Sequence, residues 1–98
     1  MTAFNVVKFR VAEGREEEFL SAHRSGKVAW PGLIRGNIIK TGERSFCLIG
    51  EWAGTADLAA ARSAMIETLG TVRALLEDQG EGRGQTDAVS GPVVLELK

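Results

Sequence analysis

Cysteine is almost absent from this chain. Cys47 stands alone, so no disulfide can form within it. Excess charge of either sign is absent too: 12 basic side chains face 13 acidic ones, for a formal charge of −1. That leaves no basic patch for nucleic acid or anionic lipid, and long-range electrostatic capture is not expected. No stretch approaches the roughly 20 apolar residues that a bilayer-spanning helix needs. The start, MTAFNVVKFRV, shows neither the apolar segment nor the small-residue cleavage site of a signal peptide. With the lone cysteine, this points to a reducing, cytoplasmic setting. A His/Cys/carboxylate cluster at ligand spacing is also missing, so no metal site is expected.

What remains is an ordinary globular composition, 44% apolar and 26% charged over 98 residues. That length holds one core, so a single domain over residues 1–98 is expected. Phe4 to Val11 is dense in Val and Phe and reads as a strand. Glu16, Glu17 and Glu18 suit a helix N-terminus, and the first helix is expected from Arg15 to Arg24, with Phe19, Ala22 and His23 on one face. Ser25-Gly26 reads as its stop, and Trp30-Pro31-Gly32 as a further breaker. Leu33 to Lys40 and Ser45 to Trp52 read as antiparallel strands joined through Thr41-Gly42-Glu43-Arg44. Thr55 is a candidate cap for a second helix, Thr55 to Asp78, striped with Leu58, Ala61, Met65, Leu69, Val72 and Leu76. Gly70 inside that stripe leaves a kink or break open. GEGRG reads as a mobile loop, and Val93 to Leu97, after Gly91-Pro92, as the last strand.

The resulting order is β-α-β-β-α-β: an α+β, ferredoxin-like plan with a four-stranded antiparallel sheet and two helices on one face. Alternation sends Val7, Phe9 and Val11 to one side of the first strand and Phe4 and Val6 to the other. On the third strand, Cys47 and Ile49 oppose Phe46, Leu48 and Trp52. Two helices cover one face only, which would leave an apolar face bare. A homodimer packed through its sheet faces is the expected remedy.

A chain of this order and length that dimerises through its sheets has the plan of the dimeric α+β barrels. The stretch from Phe19 to His23-Arg24, then Trp30-Pro31-Gly32, then FCLIGEW from Phe46 and Leu58 beyond it, resembles the antibiotic biosynthesis monooxygenase-like family. The resemblance covers roughly residues 4 to 78. It implies a pocket between sheet and helices in each subunit. It also implies oxidation of a small aromatic, polyketide or quinol-type substrate by molecular oxygen, with no metal or flavin cofactor. Haem-degrading relatives carry an iron-binding histidine on the second helix. Thr55 to Asp78 contains none, which argues against haem chemistry.

His23 is the candidate catalytic residue, since histidine is the side-chain type that exchanges protons near neutral pH. The plainer role for it is an imidazole packed in place and bonded to backbone. Candidate pocket residues are Trp30, Arg35, Asn37, Trp52, Arg62 and Met65. Each has a structural alternative: the tryptophans as packing, Arg62 as a side chain snorkelling to solvent, Asn5 and Asn37 as amides bonded within the sheet. Cys47 reads as a small buried hydrophobe. RNA-recognition modules share the topology, but SFCLIGEW lacks their basic-Gly-aromatic pattern. Acylphosphatase-like chemistry would need a glycine-rich anion loop after the first strand, and none is there. The competing reading is a non-catalytic dimeric barrel that binds a small apolar or aromatic metabolite.

Overall fold

A computed structural model describes residues 2–25, 30–80 and 82–98. Its elements run β1 (Ala3–Arg10), α1 (Glu16–Ser25), β2 (Leu33–Gly42), β3 (Ser45–Trp52), α2 (Thr55–Val72) and β4 (Thr86–Pro92), with one turn of 3-10 helix at Arg73–Leu75. The four strands form one antiparallel sheet in the order β2-β3-β1-β4. This is the ferredoxin-like α+β plan.

The pairing follows from the side chains. Ala3, Asn5, Phe9 and Val11 are buried toward the helices, while Phe4 and Lys8 are exposed on the other side. Phe46, Leu48 and Trp52 of β3 join the helix side. At the β2 entrance, Leu33 N–H donates to the Trp30 carbonyl at 3.1 Å across Pro31-Gly32, and Gly32 has φ +83°. A Pro-Gly pair with positive φ at the second position has the signature of a type II turn. Between β2 and β3 the turn is tighter than expected: Thr41 and Gly42 stay in the strand, and Glu43-Arg44 reverse the chain with Arg44 at φ 62°. Gly26, the expected stop of the first helix, lies outside the described residues.

Three expectations for the second half are corrected. The second helix ends at Val72, not Asp78, and its N-cap is Gly54, with no side-chain cap bond from Thr55. It runs through Gly70 without a break. It stops because the following backbone is claimed by the sheet: Leu75 carbonyl accepts from Ala12 N–H at 2.8 Å, and Glu77 N–H donates to the Arg10 carbonyl at 2.9 Å. The final strand is Thr86–Pro92, not Val93 to Leu97. Its register explains the shift, since Pro92 lies opposite Ala3, where β1 begins. Beyond Pro92 no strand remains to pair with, and one further bond, Val93 N–H to the Thr2 carbonyl, ends the contact. Val94, Leu95 and Leu97 are left 85%, 71% and 92% exposed.

Two apolar clusters sit between sheet and helices. One gathers Phe9, Val11, Phe19, Phe46, Val72 and Leu76; the other, at the opposite end of β1, joins Ala3, Trp52, Leu58 and Ala61. Phe19 is fully buried, edge-on to Phe9 at 5.3 Å and tilted against Phe46 at 5.3 Å. Burial of a phenylalanine of this kind stabilises by about 2 kcal/mol. In the glycine-rich segment, Asp78 carboxylate oxygens accept from Gly80 N–H at 2.8 Å and Gly84 N–H at 2.7 Å. Among the described residues, no helix is long and apolar enough to cross a membrane.

Candidate functional site

The two clusters do not meet along their whole length. Between the helix side of the sheet and α2 lies a cavity of about 350 Å³, within the size range of small-molecule sites. α2 runs in the same direction as β1, with Leu58 near the Ala3 end and Val72 near the Phe9 end. The floor is Asn5, Val7 and Phe9 of β1 with Leu48 of β3, and the roof includes Leu58, Met65, Leu69 and Val72 of α2. Thr86, Ala88 and Ser90 of the edge strand β4 close one side. The mouth lies between α2 and that edge, where Ile66 and Val89 are 59% and 63% exposed while still lining the space. Among the described residues, no carboxylate lines it.

His23 sits in the last turn of α1 and borders the cavity at the Phe9 end. Its Nδ1 lies 2.8 Å from the Phe19 carbonyl oxygen, one turn back in the helix. A carbonyl can only accept, so Nδ1 carries the proton and, in the neutral ring, Nε2 holds the free lone pair. The ring is held against Phe19 at 4.6 Å and Phe9 at 6.2 Å. The backbone bond expected of a packed imidazole is thus present, and it leaves one nitrogen basic.

The opposite end is built around Asn5, a buried polar side chain at 5% exposure. Its Oδ1 accepts from Trp52 Nε1 at 2.8 Å. An indole only donates, which orients the amide and turns Nδ2 toward Met65 Sδ at 3.6 Å. The pair needs Gly50 between them: a Cβ there would collide with Asn5 Oδ1 and the Trp52 indole. Trp30 stacks on Trp52, centroids 5.9 Å apart and planes 19° apart, and itself lines the cavity.

Of the residues singled out from the sequence, the cavity gathers His23, Trp30, Arg62 and Met65. Trp52 lies behind the wall and acts through Asn5. Arg35 and Asn37 do not reach the cavity. They pair with Glu51 and Ile49, whose side chains alternate away from Trp52 and Leu48, so both point from the opposite sheet face. Arg35 there lies 3.5 Å from Glu51. Asn5, weighed with Asn37 but set down as an amide bonded within the sheet, lines the cavity, and so does Ser90, its partner across β1 and β4, which was not singled out. Asn5 shares parity with Val7 and Phe9, a signal already visible along the first strand. Ser90 had no such signal once the last strand was expected to start at Val93, seven residues after its actual start at Thr86. Among the described residues, no group of three or more His, Cys, Asp or Glu side chains could hold a metal ion.

Comparison with solved structures places this fold. A cofactor-independent oxygenase, SnoaB from Streptomyces nogalater, superposes with a TM-score of 0.74 at 17% identity, covering 98% of this chain and 96% of that one. A protein from Chloroflexus aurantiacus, provisionally described as an antibiotic biosynthesis monooxygenase, gives 0.72 at 12% identity over 100% and 98% of the two chains. A conserved protein from Methanosarcina mazei gives 0.75 at 15% identity over 94% and 92%. At these identities the likeness is one of fold. No protein-family model matches the chain, and no curated protein matches it.

Proposed function

We propose that the chain is a cofactor-independent monooxygenase acting on a small aromatic, polyketide or quinol-type substrate. The observation that carries this reading is a largely apolar cavity whose one basic lone pair on a titratable ring is His23 Nε2. The fold shared with SnoaB, described as a cofactor-independent oxygenase, supports it. The His23 imidazole takes the proton of an acidic hydroxyl, and the imidazolium left beside the anion holds it by charge. Apolar walls keep water from re-protonating it. The electron-rich anion then reduces oxygen itself. For a substrate with a reacting CH₂ group, that carbon loses two C–H bonds and becomes a carbonyl. One oxygen atom ends in the carbonyl and the other in water, and the four electrons come from the substrate, so no external reductant is required.

The partner in this reading is a second copy of the chain. Phe4 and Ile39 are 37% and 43% exposed on the sheet face away from the helices, beside half-buried Val6 and Ile49. A second sheet face would cover them.

Oxygen uptake with a panel of anthrones, acidic phenols and hydroquinones tests the reaction. Turnover is expected, and His23→Ala is expected to lower it by about a hundredfold or more, with the far-ultraviolet circular dichroism unchanged. The packing of the His23 ring on Phe19 and its bond to the Phe19 carbonyl favour the competing reading, a binding module. Aromatic probes that bind while no panel member consumes oxygen would establish that reading instead.

A further inference from the structure

Three hydrogen-bond donors sit at the Asn5 end of the cavity without an oxygen acceptor. Trp30 Nε1 is buried and has no partner among the described residues. Asn5 Nδ2 has only the Met65 sulfur at 3.6 Å, a weak acceptor, because its own oxygen is committed to Trp52. Arg62, one turn before Met65 on α2, borders the mouth; unlike Arg10, Arg15, Arg35 and Arg44, it faces no carboxylate among the described residues. Buried donors are ordinarily satisfied, and an arginine fork matches a carboxylate in geometry as well as charge. This end of the cavity therefore has donors in excess and no acid of its own.

The other end is different in kind. His23 lies there with a basic nitrogen, beside Phe9 and its cross-strand partner Thr86. Four residue steps along β1 separate Asn5 from Phe9, about 13 Å of extended strand. Apolar side chains, Val7, Leu48 and Leu69 among them, line the space between.

We propose that the cavity takes an elongated aromatic acid, its carboxylate held by Arg62, Trp30 Nε1 and Asn5 Nδ2 and its hydroxyl directed to His23. The assignment rests on the cavity being a ligand site, as in the reading above, and adds the ligand's charge and its direction. Calorimetric titration with 6-hydroxy-2-naphthoate and with 2-naphthol, which lacks the carboxylate, tests it. The naphthoate is expected to bind about tenfold or more tightly than the naphthol. Arg62→Gln is expected to erase that difference and leave naphthol affinity within about twofold, since an exposed arginine contributes little to the fold. Arg62→Lys is expected to keep only part of the preference, having charge without the fork. Equal affinities, an equal loss for both ligands in Arg62→Gln, or failure of the naphthoate to bind the unaltered protein would overturn the assignment. Charge-selective binding without oxygen uptake would retire the oxygenase reading and leave this one standing; uptake without charge selectivity would do the reverse.

Discussion

A single hydrogen bond organises the donor-rich end of the cavity. Trp52 is fully buried, and among the described residues its indole N–H is the only donor on Asn5 Oδ1. Trp52→Phe removes that donor, stranding a buried acceptor, and leaves a small void where the larger indole stood. A loss of about 1–3 kcal/mol in unfolding free energy is expected, read by urea denaturation. A variant as stable as the parent would mean that Asn5 finds another donor. Asn5 and Asn37 looked alike along the chain, each an amide in a strand. What separates them is parity: Asn5 shares the side of Val7 and Phe9, whereas Asn37 opposes Ile49 on the far face. Residue type named the chemistry in both cases, and only strand pairing told which amide the cavity receives.

The elements were legible to the degree that their own residues determine them. β3 runs from Ser45 to Trp52 as expected, because apolar alternation and flanking turns agree there. β4 was not legible. Val93 to Leu97 is the more strand-like run by composition, yet TDAVSGP forms the strand, because β1 offers partners only from Ala3 to Phe9. The end of α2 failed for the same kind of reason: helical spacing continues to Leu76, but backbone bonds from Ala12 and Arg10 draw the chain out of the helix. Tertiary pairing overrode local propensity at both places. The connection between α2 and β4 carries its own acid dependence. Backbone N–H bonds from Gly80 and then Gly84 hold the Asp78 carboxyl below the ordinary value of 3.8. A depressed folded value means that the contribution is present above the unfolded value and is lost as pH falls through the lower one. An NMR titration is expected to place the Asp78 midpoint below 3.8, with the Gly80 and Gly84 amide shifts moving together with it. A midpoint at or above that value would mean that the turn does not persist in solution.

For the whole molecule, the order and sidedness of the elements could be read from alternation alone, and so could the bare sheet face that suggests a second copy. The proposed dimer is tested by sedimentation: a dimeric mass at micromolar concentration is expected, and Ile39→Glu is expected to shift it toward monomer. Ile39 is 43% exposed within one chain, so the new charge costs little until two faces meet. A monomeric parent would remove the proposal. The site was harder to read than the fold, because a cavity is defined by what several elements leave unfilled, and one of those elements was misplaced.

The position of β4 at the sheet edge has a further consequence. One wall of the cavity hangs on a single ladder, the seven residue pairs from Ala3↔Pro92 to Phe9↔Thr86, with no strand beyond it among the described residues. Opening that wall requires breaking those pairs and the few bonds that flank them, Val93 N–H to the Thr2 carbonyl and Gln85 Nε2 to the Leu76 carbonyl, while β2, β3 and both helices keep theirs. Widening of the mouth is therefore a matter of local unfolding, set by the stability of one edge rather than by that of the whole protein.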